Sequence, residues 1–341
     1  MDDATRRLFF VESLLGTGML ESCSAPAGAS GPVIRRKDFK PAYIALEQSG
    51  ELKARVKELY AIYRSCRLCP RQCGVNRLKG ELGVCQSISR VRVYSMHPHF
   101  GEERPLVGRG GSGTIFFSQC NLRCEFCQNW EISHRGDGRW MSDDDLAGLM
   151  KSAQETGCHN VNLVTPTHFV PNIVNALRTA IPRGLTVPLV YNCGGYEPVE
   201  IVKLLDGIVD IYLPDFKYMD GAMSEKYSSG ARDYPERAAE AIAEMHRQVG
   251  ELAVDEKGIA VRGLIIRHLV LPHNIAGTDQ FVKWVATRLT PSTYVNIMAQ
   301  YRPEHRARNY PELSRRITNE EFSRAIAWAR EAGLTRLDGT S

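Results

Sequence analysis

From residue 113 onward the chain alternates short apolar runs with longer amphipathic ones. The short runs fall at 114–117, 160–164, 188–191, 209–213, 262–270 and 294–298. They are rich in β-branched and aromatic residues and mostly lack in–out alternation, so they read as strands buried on both faces. Between them, apolar positions recur at helical spacing near 171–180, 198–206, 233–249, 279–289 and 319–332. The clearest helix starts at Ser142, where Ser142 and Asp145 form a capping box and Gly157 supplies the stop. Six strand–helix units in series predict a parallel sheet, closed or partly closed. Upstream, 51–63 also has helical spacing, while 1–40 reads as irregular and Ala25–Pro32 as a linker. The predicted organisation is an irregular extension over 1–50, a helix with a cysteine-rich segment over 51–110, and an α/β domain over 111–341.

Composition changes this picture little. The 341 residues, 43% hydrophobic and 24% charged, are those of an ordinary globular protein with material for a sizeable core. A net charge of +4 is too small to argue for nucleic acid or an anionic membrane as partner. No apolar run is long enough to cross a bilayer. Thr5-Arg6-Arg7-Leu8-Phe9-Phe10 has the outline of a twin-arginine export signal. Glu12 interrupts the apolar stretch, however, and Asp2 and Asp3 offset the arginines, so the expected location is cytoplasmic.

The ten cysteines matter more. Seven fall into two tight groups, 66–85 and 120–127, leaving Cys23, Cys158 and Cys193. Short C-x2-C and C-x3-C spacings predict metal or cluster sites rather than disulfides, and a reducing compartment. Cys120, Cys124 and Cys127 follow the first strand directly in the spacing C-x3-C-x2-C. Three thiolates can hold three irons of a 4Fe–4S cube and leave the fourth iron free to bind a substrate or cofactor. The competing readings are a zinc knuckle or three unrelated buried cysteines.

With Phe126 just before the last cysteine, the run resembles the signature of the radical S-adenosylmethionine (radical SAM) enzymes. The resemblance implies a partial (βα)6 TIM-type barrel preceded by a small cysteine-rich segment, with the chemistry at the C-terminal strand ends. It implies that S-adenosylmethionine is chelated at the open iron and cleaved by one electron. The resulting 5′-deoxyadenosyl radical then takes a hydrogen atom from the substrate. By the same resemblance Phe126 faces the adenine. Many members carry Gly-Gly-Glu after the second strand to bind the methionyl amino group; here Thr165-Pro166-Thr167-His168 stands instead, so Thr165 and Thr167 are the replacement candidates.

The remaining strand ends are polar or glycine-rich. After the third comes Tyr191-Asn192-Cys193-Gly194-Gly195, where glycines let a ligand approach the backbone and Asn192 is the polar candidate. After the fourth, Asp215-Phe216-Lys217 resembles the Asp-Leu-Lys stretch of glycyl-radical-enzyme activases, which implies that Asp215 and Lys217 hold the methionine carboxylate end. Arg267 on the fifth is a second carboxylate candidate, whereas His268 alternates to the opposite face and reads as a core histidine. Gln300, Tyr301 and Arg302 after the sixth are candidates for substrate contact.

Cys66, Cys69, Cys73 and Cys85, spaced C-x2-C-x3-C-x11-C, form a closed ligand set. Either a second 4Fe–4S cluster or a structural zinc ion fits it, and His97 and His99 nearby are not needed to complete it. This segment, Gly111–Phe117, Asp215-x-Lys217-Tyr218 and Arg267–Pro272 most resemble homologues of pyruvate formate-lyase activating enzyme with an N-terminal four-cysteine motif. The resemblance implies an oxidoreductase served by a low-potential donor of flavodoxin or ferredoxin type, and a protein as the substrate to be activated or modified. A small-metabolite radical SAM enzyme and a non-catalytic iron–sulfur or zinc protein are the alternatives, because fold and family do not fix a substrate.

Overall fold

The computed structural model describes residues 31–338. The arginine pair at 6–7, Cys23 and most of the 25–32 stretch lie outside the described residues. The chain opens with α1 (Ala42–Gln48) and α2 (Glu51–Ile62) and continues through β1 (Val91–His99), α3 (Arg104–Val107), β2 (Ser112–Phe117), β3 (Arg139–Met141) and α4 (Asp143–Glu155). Next come β4 (Val161–Val164), α5 (Val170–Ala180), β5 (Leu189–Cys193), α6 (Val199–Leu204), β6 (Ile211–Pro214), α7 (Gly221–Tyr227), α8 (Tyr234–Val249) and β7 (Ala253–Val254). The last elements are β8 (Ala260–Leu269), α9 (Thr278–Arg288), β9 (Tyr294–Met298), α10 (Asn319–Glu331) and β10 (Leu337–Asp338).

One sheet runs β10-β9-β8-β6-β5-β4-β2-β1-β3, with β7 added on β8. Every neighbouring pair from β2 through β10 along that path is parallel. The six expected strands are thus present and adjacent in chain order, and the sheet's two ends do not pair among the described residues, as in a partial barrel. The capping box forms as read: the Ser142 hydroxyl accepts from Asp145 N at 3.1 Å and the Asp145 carboxylate accepts from Ser142 N at 2.9 Å.

Three features depart from the sequence reading. A short helix, α1, occupies part of the 1–50 stretch expected to be irregular. It is bounded by Pro41 and Gly50, too short for a periodicity to register, and is held by burial of Tyr43. β1 lies antiparallel to β2, with β3 beyond it, and extends the sheet on its N-terminal side. β10 adds a seventh parallel strand beside β9 through only two residues.

Strand alternation sorts the core into two faces. Val190, Ile211, Leu213 and Ile265 pack with Leu106 and Tyr294 inside the sheet's curve, while Tyr191, Tyr212, Leu264 and Ile266 pack outward among the helices. Two residues further along the same inner face stand Asn192, Asp215 and Arg267. His268 faces outward, stacked on Phe281 at 4.2 Å and bonded to Phe216 O and Thr278 Oγ1, as its position in the alternation predicted.

Candidate active site

Three thiols and the ends of four strands, β4, β5, β6 and β8, meet in one cavity of about 150 Å³. Cys120, Cys124, Cys127, Thr165, Asn192, Asp215, Lys217 and Arg267 all line it. Arg267 Nε donates to Asp215 Oδ1 at 2.7 Å, Lys217 Nζ donates to Asp215 Oδ2 at 2.6 Å, and the far end of the Arg267 fork donates to Asn192 Oδ1 at 2.6 Å. Asp215 thus holds both cations at the mouth, and its own side chain is only 15% exposed. Burial alone would raise the Asp215 carboxyl, but the charges of Arg267 and Lys217 outweigh it and hold the group below its ordinary range. Burial likewise opposes the Lys217 charge, and Asp215 restores it.

The backbone beneath this network is fixed by close approach. The Tyr234 hydroxyl bridges Gly194 O at 2.9 Å, Asp215 O at 3.0 Å and Lys217 N at 2.8 Å. Gly195 has φ +78°, and a Cβ there would stand 2.2 Å from Asp215 O, so no other residue fits against that strand end. Thr165 has φ +59° with its N–H on Asn192 O at 2.8 Å. A β-branched residue in that region costs on the order of 1–3 kcal/mol, strain of the kind that gathers at working sites.

The thiols have their own polar partners. The Ser228 hydroxyl donates to Cys124 Sγ at 3.0 Å, and Ser133 Oγ lies 3.1 Å from Cys127 Sγ. Burial pushes the Cys124 thiol up to about 12 against the pull of Lys217, and raises Cys127 as well. Phe126 does not line this cavity; its ring is buried in the core against Tyr218 and Tyr301. Tyr301 is likewise buried, with its hydroxyl on Leu313 O, and Arg302 points to solvent beside Glu304. Thr167 does not line this cavity but donates to Glu197.

Several residues here had no signal in the sequence. Glu102 lies 3.7 Å from Arg267 and 2.9 Å from His99, delivered by the turn that follows β1. Glu103 accepts from Asn296 at 2.9 Å, and its carboxyl is raised by burial. Glu197 is buried between the Thr167 and Tyr191 hydroxyls, which donate to it at 2.6 and 3.1 Å. Burial pushes its carboxyl up to about 8. In the unfolded chain it ionises near 4.5, so folding loses stability as pH rises between the two values and the loss is complete above the folded one. Glu197→Gln is therefore expected to stabilise the protein by roughly 2–3 kcal/mol above about pH 8 and by progressively less toward pH 5. Denaturant melts across that range check it; a gain that grows toward acid would show that Glu197 is ionised in the fold.

Cys66, Cys69, Cys73 and Cys85 line a second, tight cavity together with Arg77 and His168. The two cysteine groups touch: Arg71 Nε donates to Asn121 O at 3.0 Å, and the His168 Nε2 edge meets Ser118 O at 2.8 Å. Among the described residues no three His, Cys, Asp or Glu side chains gather on a single-ion point. Nor is any described helix long and apolar enough to cross a membrane.

Comparison with known proteins follows the same lines. The model of the Radical SAM superfamily matches residues 114–254. An uncharacterized protein, MJ0674 of Methanocaldococcus jannaschii, is 33% identical over 283 residues, which are 80% of this chain and 76% of that protein. Streptococcus suis SuiB aligns at 14% identity and TM-score 0.41 over 65% of this chain, and the match spans about half (47%) of its own length. TYW1 with a lysine-pyruvate adduct aligns at 10% identity and TM-score 0.41, over 64% of this chain and 73% of its own. The family model begins on β2, the strand that leads into Cys120, and the archaeal relative extends the likeness over most of the chain: the protein belongs to the radical SAM superfamily.

Proposed function

We propose that this protein cleaves S-adenosylmethionine reductively to activate or modify a partner polypeptide. The superfamily implies a 4Fe–4S cluster and S-adenosylmethionine. The carrying observation is that three motif thiols share one cavity with Asn192, Asp215, Lys217 and Arg267. The donor set fits: three soft thiolate ligands suit a cluster that keeps one iron open. Cys120, Cys124 and Cys127 would hold the cluster, and Lys217 and Arg267 would take the methionine carboxylate. Bound there, the cluster and S-adenosylmethionine would together supply one-electron cleavage of the sulfonium and hydrogen-atom abstraction. Asp215 holds both cations at the mouth, the Ser228 hydroxyl stabilises charge on Cys124 by donating to its sulfur, and Ser133 Oγ stands within hydrogen-bond reach of Cys127 Sγ. The four-cysteine pocket holds a second metal centre, 4Fe–4S or zinc. A low-potential flavodoxin or ferredoxin delivers the electron.

The polypeptide reading is supported by the activase-like Asp215-x-Lys217 stretch. The test is 5′-deoxyadenosine formed by anaerobic, iron-replete protein with strong reductant. Slow cleavage that a polypeptide substrate accelerates is the expected result. No product at full iron content sinks the proposal, and acceleration by a small metabolite alone hands the site to that class of substrate.

A further inference from the structure

Arg77 is a buried cation without an anion. It is 1% exposed, and a guanidinium stays charged at any pH a protein meets. Two of its nitrogens donate to carbonyls, His168 O and Ile88 O, each at 2.6 Å. Its plane lies over the Tyr63 ring at 4.4 Å and near Phe169 at 5.8 Å. Its Nε is buried and has no partner. Among the described residues no carboxylate comes within ion-pair distance of it. Carbonyls and ring faces solvate a cation but do not neutralise it, and an uncompensated buried charge costs several kcal/mol.

The wall that Arg77 shares names the missing anion. The guanidinium lines the same cavity as Cys66, Cys69, Cys73 and Cys85. Its titratable neighbours are Tyr63, Cys85 and Cys66. The Tyr63 hydroxyl is occupied as a donor to Asn172 and is held protonated by burial. Only the thiols remain as a source of negative charge, and they supply it when a metal displaces their protons. Four thiolates outweigh the charge of a zinc ion, and they equally leave an all-cysteine 4Fe–4S cube negative.

We propose that Arg77 is the built-in counter-ion of an anionic, four-thiolate metal centre in this pocket. The idea rests on the second metal centre proposed above, but not on the chemistry at Cys120, Cys124 and Cys127. Zinc and a 4Fe–4S cluster share the chemistry that Arg77 recognises: buried sulfur carrying net negative charge. The planar fork suits the place better than an ammonium. Two of its nitrogens are tied to the backbone while Nε is left without a partner.

The experiment starts from the full chain with Cys120, Cys124 and Cys127 changed to Ala, so that only this pocket retains a full set of cysteine ligands. Iron, zinc and acid-labile sulfide are measured after anaerobic preparation, and retention of the metal is followed against a chelator. Arg77→Lys should keep the centre. Arg77→Met should weaken retention by about 10- to 100-fold, as loss of a partner just outside the ligands does. Zinc alone, or iron with sulfide, each supports the proposal and names the metal. No metal in the starting variant overturns the site itself. Equal retention in Arg77→Met overturns the counter-ion while leaving the site.

A second measurement separates charge balance from packing. Arg77→Met is introduced both with the four cysteines intact and with all four changed to Ala. A counter-ion costs stability when removed from the metal-loaded protein and restores it when removed from the metal-free one. An equal loss of melting temperature in both backgrounds would mark Arg77 as merely structural. The Lys and Met comparison stands by itself if the cysteine-free chain does not fold.

Discussion

Replacing Cys124 by alanine is expected to abolish 5′-deoxyadenosine formation and to strip iron and sulfide from the site that Cys120 and Cys127 share. Cys124 is the most enclosed of the three, 8% exposed and fixed by the Ser228 hydroxyl at 3.0 Å. Burial holds its thiol protonated in the absence of metal, so a thiolate here depends on the cationic group it binds and on Lys217 nearby. Two remaining thiols cannot anchor a cube with one open corner. The fold itself should tolerate the change, since only a sulfur is lost, at about 1 kcal/mol. The control is Cys158→Ala, a buried cysteine just after α4 and outside the cavity lining; it should keep both iron and cleavage. Activity that survives in Cys124→Ala would remove this cavity from the reaction.

What the sequence made legible was local. Most of the parallel strands are short apolar runs flanked by helices of clear periodicity, so the strands were found with small errors at their ends. Asn192 was named from the polar, glycine-rich strand end and Asp215 and Arg267 from the activase resemblance, and the alternation brings all three to the inner face. The cysteine spacing was equally local. Non-local pairing was not legible. β1 reads Val-Arg-Val-Tyr-Ser-Met-His-Pro-His, too polar to declare a strand, and it owes its conformation to the backbone of β2. Because β1 was missed, Glu102 was missed with it, although it faces Arg267. Burial of single polar residues was also invisible: nothing in their neighbours distinguishes Glu197, Ser228 or Arg77 from surface positions. Thr165 is the sharpest case, because threonine seldom takes a positive φ and only the surrounding structure imposes it.

The two cysteine groups share one construction. In each, thiols on a loop meet a cation supplied by the chain: Lys217 beside Cys124, and Arg77 beside Cys66 and Cys85. The difference lies in how that cation is balanced in the protein alone. Lys217 and Arg267 have Asp215 between them, whereas Arg77 has only neutral groups. The chain itself thus balances the cations at the mouth of the first cavity, whereas the counter-ion role proposed for Arg77 requires an anionic occupant in the second.

That contrast makes Asp215 the residue whose loss should cost most in the empty protein. Asp215→Ala leaves Lys217 and Arg267, 21% and 18% exposed, sharing the mouth with no carboxylate between them. Removing one partner of a buried ion pair costs roughly 3–5 kcal/mol, and the low end applies because Glu102 still faces Arg267 at 3.7 Å. The pH dependence follows from the sign of the shift. Asp215 is held below its ordinary range, so its contribution is complete above the unfolded carboxylate value and is lost as pH falls through the lower folded one. The gap between wild type and variant should be flat around neutrality and should close only below about pH 4. Denaturant midpoints at neutral and acid pH measure it. Adding Arg267→Met to Asp215→Ala should recover about 1 kcal/mol or more relative to the sum of the single changes, since the stranded charge is removed with its partner. Strict additivity, or a gap that persists undiminished in acid, would mean that Asp215 acts through packing and not as the anion that holds these cations in place.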